Sequence, residues 1–308
     1  MGRELEYRGN IPDGLALISY IQKRTRQVYD FDNFNFSGWQ GNRSKKSGNL
    51  VYFSEYFDYL DFVYSADELL KLTSKIESNI IDSFEITIYS QLLADVNYLR
   101  DLLGTKFLRE NKLLQAAETF KSIEQSYWDE IYNLWERDKD ENHVAFDKNP
   151  FYVLNYTKPF ITSKEIFLVT KLSVTQHLLK YLELADNPRT NDRDYYYFIV
   201  GNCYLNMTQY GHSWMMRRFS SNSSSEPSYI DSYIDEIEYR NANLAQKYYH
   251  LAYENAKTDK FKALCVRMEE YALNNVDSKY KRLYTTYPEY YNELSTCEFL
   301  GEYFKARR

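Results

Sequence analysis

The sequence predicts an all-α protein made of antiparallel helical hairpins, with no significant sheet. Apolar residues recur at spacings of three and four through most of the chain, which is the period of a helix. No stretch shows a convincing strand pattern. The chain has only 10 glycines and 6 prolines in 308 residues, about half the usual share, and an all-β protein would need a turn roughly every 8 to 12 residues.

Composition indicates a large interior packed with aromatic rings. A chain of 308 residues can bury a core without disulfide or metal support, and 32 tyrosines and 18 phenylalanines must fill much of it. The net charge of -6 argues against nucleic acid or an anionic membrane as a partner, because phosphate binding requires clustered positive charge.

The cysteines and the apolar runs argue against further classes of protein. Cys203, Cys265 and Cys297 are too few and too far apart for a disulfide framework, so we predict that they are small buried apolar residues. No window approaches the roughly 18 apolar residues of a membrane-spanning helix, and the first residues lack the apolar core of a secretory signal. The compartment stays open between the cytoplasm and, for a fragment of an exported precursor, the periplasm or cell envelope.

The first elements are predicted as follows. Residues 1–50 form an N-terminal extension, with one helix in "PDGLALISYIQKRTRQVYD" followed by a loop anchored by aromatic residues. Residues 51–308 form the helical array. Within it, Ser65 is a predicted N-cap because Glu68 follows three residues later, the pattern of a capping box. Helical periodicity then continues to a hinge predicted at 136–162, which holds a charge run and two prolines.

The second half is predicted to contain five helices and one insertion. Ser163 is the predicted cap of a helix that ends before "NPRTND". The next helix is "DYYYFIVGNCYLNMTQYG", residues 194–211, and its aromatic residues lie on every side, which indicates burial. Residues 217–229 contain the Ser-rich tract and should form an exposed inserted loop. Three further helices complete the chain.

One segment carries a repeat pattern. In "LLGTKFLRENKLLQAAETFKSI", Leu103, Gly104 and Phe107 on one helix are followed by Ala116 and Phe120 on the next. These residue types at these spacings resemble the tetratricopeptide repeat (TPR), a 34-residue helical hairpin in which small residues permit close approach of the two helices.

A second, interrupted match to the same pattern lies further along the chain. Its first-helix positions are Tyr197, Gly201 and Tyr204, and its second-helix positions are Ala245, Tyr249 and Ala252. The interval between the two helices is longer than in a TPR, so we predict an insertion there.

The segments 101–120, 195–216 and 280–304 together resemble the C-terminal part of a group of large, poorly characterised TPR-like proteins of Bacteroidetes-type bacteria. This resemblance implies a TPR-like solenoid wound as a right-handed superhelix, and it implies no activity, substrate or catalytic residue.

No catalytic signature is present in the sequence. The four histidines show no metal-ligand spacing, neither a GxGxxG nor a Walker phosphate loop occurs, and there is no GxSxG elbow. We therefore expect no enzyme activity, no cofactor and no metal. A carbohydrate-active enzyme or glycan-binding protein on a helical fold stays as an alternative, and so does a structural segment of a larger cell-envelope protein.

The predicted function is a non-catalytic scaffold that binds a protein or peptide. Extended concave surfaces of this kind are typical of helical repeat arrays. Besides the contact residues named below, residues 229–240, "YIDSYIDEIEYR", are a second candidate patch, because they are acidic and rich in tyrosine. Residue types enriched in binding hot spots follow the aromatic helix. The predicted contact residues are Tyr210, His212, Trp214, Arg217 and Arg218. The alternative is that these side chains form an aromatic cap on the array, with the arginines reaching water.

Overall fold

The computed structural model describes residues 1–29, 60–61, 64–78, 82–94, 96–130, 148–155, 157–218, 233–273 and 280–308. All regular secondary structure in these ranges is helical, and none of the described residues lies in a strand, so the prediction of an all-α protein is confirmed. The chain divides into two compact units. Unit 1 comprises 1–124 with 229–233, and unit 2 comprises 125–228 with 234–308.

Unit 1 contains six described helices, which the amphipathic period of the sequence produces. They are α1 (Gly2–Tyr7), α2 (Ile11–Tyr29), α3 (Ala66–Glu77), α4 (Ser83–Ala94), α5 (Val96–Arg109) and α6 (Leu113–Lys121). Helix α2 packs on α1 and α4, and α5 packs on α3 and α6. The predicted capping box is confirmed, because Ser65 and Glu68 satisfy each other's backbone amides at the start of α3.

A buried group of charges joins α5 to the residues before α3. Lys106 Nζ donates to the carbonyl oxygen of Asp61 at 2.6 Å, and Arg109 forms a bidentate pair with the Asp61 carboxylate. All three residues are less than a tenth exposed. Burial is the main effect on Lys106 and lowers its pKa to about 8, against the opposing attraction of Asp61.

Unit 2 contains nine described α-helices and one short 3₁₀ helix at Trp214–Met216. The α-helices are α7 (Gln125–Glu130), α8 (Lys171–Asp186), α9 (Arg193–Asn206), α10 (Glu236–Asn241), α11 (Asn243–Asn255), α12 (Asp259–Leu273), α13 (Lys281–Thr286), α14 (Pro288–Leu294) and α15 (Leu300–Lys305). Helices α8, α9, α11 and α12 form a row in which each packs on the next, and α15 packs on α12. The 194–211 stretch thus supplies α9, at the middle of the row.

The core of unit 2 is aromatic, as the composition predicts. Phe198 of α9 is fully buried, and its ring lies 5.4 Å from Tyr249 of α11, 5.5 Å from Phe261 of α12 and 5.3 Å from Phe304 of α15, measured between centroids. Each of these separations falls in the range that favours tilted or edge-on ring pairs. One side chain therefore joins four helices.

The start of α8 differs from the sequence prediction. Ser163 is not its N-cap: the helix begins at Lys171, and Thr170 forms the capping box with Ser173. Residues 163–169 lie outside any helix. The capping box of Thr170 and Ser173 satisfies two backbone amides at once. A helix that began at Ser163 would lack these two hydrogen bonds. The predicted end is confirmed, because α8 stops at Asp186.

The last residues of the chain attach to the start of α9. Arg307 contacts Asp192 at 3.0 Å and Asp194 at 3.3 Å, and Arg308 donates to Asp194 at 2.9 Å. Asp192 also pairs with Lys164 at 2.9 Å. Hydrogen bonds from Lys164, followed by those from the two arginines, hold the pKa of Asp192 far below its usual range.

Several sequence predictions fall partly outside the described residues. The boundary at residue 50 does so entirely, as do 136–147 of the predicted hinge and 219–229 of the predicted loop. The described remainder of the hinge region is substantially buried, including Phe151, Tyr152 and Leu154. Within the described ranges, no helix is both long enough and apolar enough to cross a bilayer.

Candidate functional site

The structure brings the two predicted contact patches together. Residues 209–218 follow α9, and residues 234–240, from the patch predicted at 229–240, hold all of α10 except its last residue; residues 229–232 lie outside the described ranges. The two are joined by a backbone hydrogen bond from Gln209 N to Tyr239 O at 3.3 Å, and by side-chain bonds described below. We call these two stretches the junction surface. The sequence predicted each patch separately but gave no signal that they meet.

The base of the junction surface is a buried ion cluster. Arg218 donates to Asp235 at 2.8 Å, and Arg217 lies 3.4 Å from the other oxygen of the same carboxylate. Asp235 is 4% exposed, Arg217 is 1% exposed and Arg218 is 4% exposed. This corrects the prediction that the two arginines contact a partner or reach water. Their guanidinium groups are used internally, where a buried aspartate requires compensating charge.

The cluster extends outward along α10. Arg218 also reaches Glu236 at 3.3 Å, and Arg240 pairs with Glu236 one helical turn away at 2.7 Å. The Arg218 guanidinium lies 4.1 Å from the centroid of the Tyr239 ring, a cation–π distance. Burial raises the pKa of Tyr239 to about 12, although Arg218 opposes this shift. Asp235 and Glu236, at the start of α10, are thus both paired with arginines.

The remaining predicted contact residues are half-buried. Asn155 donates from Nδ2 to the Tyr210 carbonyl at 3.0 Å. His212 Nε2 lies 3.1 Å from the carbonyl oxygen of Val153, so this nitrogen must donate, and His212 Nδ1 accepts from Ser213 Oγ at 3.0 Å. Trp214 begins the 3₁₀ helix. His212 therefore makes a structural hydrogen bond, whereas Tyr210 and Trp214 are residues of intermediate exposure.

The most exposed apolar side chains of the junction surface are two isoleucines. Ile234 is 75% exposed and Ile237 is 72% exposed. They flank Asp235 and Glu236, whose charges are held inward by the arginines. The sequence prediction described 229–240 as acidic and tyrosine-rich and did not single out these isoleucines. The signal was present, because two apolar residues spaced by three among acids are a departure from a uniformly polar surface pattern.

The predicted repeat positions are buried at two helix pairings. A Cβ on Gly104 would lie 2.5 Å from the ring of Phe120, and a Cβ on Gly201 would lie 2.8 Å from the ring of Tyr249. In both cases a glycine on one helix receives an aromatic ring from another. The other positions are also buried: Leu103, Phe107, Ala116, Tyr197, Tyr204, Ala245 and Ala252.

Two asparagines on α9 make buried hydrogen bonds that the sequence prediction missed. Asn202 Nδ2 donates to the Phe151 carbonyl at 2.9 Å, and Asn206 Nδ2 donates to the carbonyls of Pro150 at 2.8 Å and Val153 at 2.7 Å. These bonds fix residues 150–153 against α9. A buried amide must find partners, so two asparagines one turn apart on an otherwise apolar helix were the available signal.

The cysteines differ from the prediction at one position. Cys203 and Cys265 are buried, but Cys297 is exposed, because it lies in the turn between α14 and α15. Burial raises the pKa of the Cys203 thiol, and the nearby Arg217 charge only partly opposes this. A thiol shifted in that direction is a poor nucleophile. Over the described residues, no group of three His, Cys, Asp or Glu side chains is arranged to hold a metal ion.

Comparison with protein-family models, with curated proteins and with solved structures finds no match to this chain.

Proposed function

We propose that this protein is a non-catalytic scaffold that binds an apolar segment of a partner protein through the junction surface. The observation that carries the proposal is the pair Ile234 and Ile237, about three-quarters exposed on either side of a buried ion cluster. Exposed apolar side chains rimmed by polar residues are typical of protein interaction sites.

The buried cluster supports this function because it makes the surface rigid before a partner arrives. Arg218 donates hydrogen bonds to both Asp235 and Glu236. Its guanidinium group also lies over the Tyr239 ring, so α10 is held by a second kind of contact. A surface already held in its bound shape loses less conformational entropy on binding. The partly exposed side chains of Tyr210 and Trp214 add residue types that are common in binding hot spots.

The charge distribution favours an apolar partner segment over a basic one. Asp235 is buried and Glu236 is paired twice, so neither offers a free carboxylate for a lysine or arginine of the partner. What this part of the junction surface presents to solvent is the side chains of Ile234, just before α10, and Ile237, within it. Affinity should therefore depend weakly on salt.

The TPR-like solenoid with a right-handed superhelix belongs to this proposal. Its support is the recurrence of a glycine on one helix facing an aromatic ring on another, at Gly104 with Phe120 and at Gly201 with Tyr249. In the row of unit 2, α9 and α11 would form one hairpin, and residues 207–242 would be its insertion. The junction surface would then be carried by that insertion.

The test is site-specific photo-crosslinking in an extract of the native organism. A benzophenone amino acid at position 237 should crosslink one defined protein, and the same probe at position 273 should not. Leu273 is a matched control because it is 52% exposed and also lies in unit 2. Purified partner should then lose at least about tenfold in affinity for Ile237→Lys and bind Leu273→Lys normally. Equal binding to both variants, or no specific crosslink at 237, would contradict the proposal.

A further inference from the structure

A buried arginine on α12 has no acidic partner among the described residues. Arg267 is 1% exposed, and a cation so deeply buried is costly unless an anion compensates it. It forms none of the ion pairs of the described chain. Its hydrogen bonds go to the Leu294 carbonyl at 3.4 Å, to Met268 Sδ at 3.1 Å and to Cys297 Sγ at 3.4 Å. Sulfur is a weak acceptor, so the guanidinium charge lacks an anion.

The groups around Arg267 offset only part of the cost of its burial. The ring centroids of Tyr271 and Tyr280 lie 5.1 and 5.3 Å from the guanidinium carbon, which is a cation–π distance. These rings supply no negative charge. One turn further along α12, both oxygens of Glu270 accept backbone amides from the first turn of α13, so this carboxylate is used elsewhere.

Cys297 is the cysteine that a solute can reach. Cys203 and Cys265 are buried, whereas Cys297 is exposed in the turn between α14 and α15. Its sulfur accepts a hydrogen bond from Arg267 Nη2. An accessible thiol in an electropositive setting is typical of cysteines that react selectively with oxidants.

We propose that Cys297 is a site of oxidation by peroxides, and that its sulfinate is the anion that pairs with Arg267. In the first step the Cys297 sulfur attacks one oxygen of the peroxide, so that an S–O bond forms and the O–O bond breaks. The thiol proton passes to the departing oxygen, which leaves as water when the oxidant is hydrogen peroxide. A second peroxide converts the sulfenic acid to the sulfinic acid in the same way. Each step oxidises sulfur by two electrons and reduces one peroxide, and the sulfinic acid then releases its proton to solvent.

The product should attach the turn more firmly to α12. Because Arg267 Nη2 already donates to the Cys297 sulfur, oxygen atoms added to that sulfur lie beside a cationic donor. A charge-assisted hydrogen bond is stronger than the contact with neutral sulfur that it replaces. Oxidation should therefore stabilise unit 2. The inference uses none of the residues of the junction surface and does not depend on the proposed function.

Hydrogen peroxide treatment of the full chain, followed by peptide mass mapping, tests the modification. The peptide that contains Cys297 should gain two oxygen atoms at least about tenfold faster than those that contain Cys203 or Cys265. Oxidised wild type should melt at a higher temperature than reduced wild type. Cys297→Ser, treated in the same way, corrects for the oxidation of methionines and should show no such rise.

Two variants of equal shape test the pairing without an oxidant. Cys297→Asp places a carboxylate beside Arg267, and Cys297→Asn places a neutral amide there. The aspartate variant should melt at least about 3 °C above the asparagine variant. If Arg267 did not pair with it, the order would be absent or reversed, because Glu298 follows directly and repels a second carboxylate. With Arg267→Gln as the background, the difference should disappear.

Far-UV circular dichroism establishes that the variants at the exposed position 297 are folded. Should Arg267→Gln fail to fold, the comparison of aspartate with asparagine beside the native arginine decides the question. An aspartate variant that melts no higher than the asparagine variant would overturn the proposal. A Cys297 that stays reduced, or that ends in a disulfide between two chains, would overturn it as well, and so would an advantage of aspartate that persists in the Arg267→Gln background.

Discussion

The hydroxyl of Tyr249 on α11 donates a 2.7 Å hydrogen bond to the side-chain oxygen of Asn202 on α9. The amide nitrogen of the same asparagine donates to the Phe151 carbonyl at 2.9 Å. Asn202 and Tyr249 are fully buried. One side chain therefore connects two helices of the row to residues 150–153, which have no regular secondary structure.

The first prediction concerns this contact. Asn202→Leu should destabilise unit 2 by about 2–4 kcal/mol, because it leaves the Phe151 carbonyl and the Tyr249 hydroxyl buried without partners. Tyr249→Phe should cost about 1–2 kcal/mol. Urea unfolding of the two single variants and the double variant measures the coupling. If the two effects simply add, the hydrogen bond between these residues does not contribute to stability.

The second prediction tests the close approaches at the two helix pairings. Gly104→Ala and Gly201→Ala should each destabilise by about 1–3 kcal/mol through overpacking, against a gain of up to about 1 kcal/mol in helix propensity. Gly301→Ala is the matched control, because its Cβ would lie 3.5 Å from the nearest atom of Phe160. That variant should be neutral or slightly stabilising. Equal changes in melting temperature for all three would refute the close-approach explanation.

The third prediction concerns the ion cluster beneath the junction surface. Asp235→Asn should destabilise unit 2 by about 3–5 kcal/mol, because it leaves Arg217 and Arg218 buried without their shared carboxylate. Arg240→Ala should cost no more than about 0.5 kcal/mol, since that side chain is 40% exposed and its pair is an ordinary helical one. Chemical denaturation of both variants distinguishes them, and similar costs would show that the cluster is not effectively buried.

The fourth prediction is a loss of stability in alkali. The pKa values of Cys203 and Cys265 are raised by burial from an ordinary value of 9.0. Above that pH the unfolded chain releases protons that the folded chain keeps, so stability falls as pH rises, by up to about 1.4 kcal/mol per pH unit for each thiol. Between pH 9 and 10, Cys203→Ala should reduce the slope of stability against pH, and an unchanged slope would contradict the raised pKa of this thiol.

The fifth prediction has the opposite sign and belongs to unit 1. The pKa of Lys106 is lowered to about 8 from 10.5, so between these values the unfolded chain binds more protons than the folded chain. The buried charge of Lys106 therefore destabilises the folded chain fully below about pH 8, and this penalty shrinks as pH rises toward 10.5. Lys106→Met removes this dependence, and should stabilise unit 1 most at neutral pH. Hydrogen exchange in α5 of both proteins, at pH 7 and pH 9, measures it. A constant difference would contradict the lowered pKa.

Much of the secondary structure could be predicted because its signals are local. The capping box at Ser65, the end of α8 and the helical nature of 194–206 each depend on residues a few positions apart. The prediction of a helix start was wrong where a second capping signal nearby was stronger. Thr170 with Ser173 caps α8, so the N-cap lies seven residues after the predicted cap at Ser163, and Ile166 and Leu168 are left exposed.

The candidate site was only partly predictable. Sequence identified the two patches that form the junction surface, but it assigned Arg217 and Arg218 to contact with a partner or, in the alternative, to solvent. A pair of arginines beside a polar tract is ordinarily a solvated surface. Here the partner of both is Asp235, 17 or 18 positions away, and nothing local indicates that the chain returns to bring this carboxylate into contact.

The sequence alone determined that the chain is helical, where most helices lie and which of their faces are apolar, because the helical period places residues three or four apart on one face. Tertiary structure decided which polar groups are buried and with whom. Asn202 meets Phe151 at a separation of 51 residues, and Arg217 meets Asp235 across the Ser-rich tract. The physical reason is that a buried polar group must be satisfied by whatever partner the fold brings within 3 Å or so, and that partner carries no mark in the local sequence.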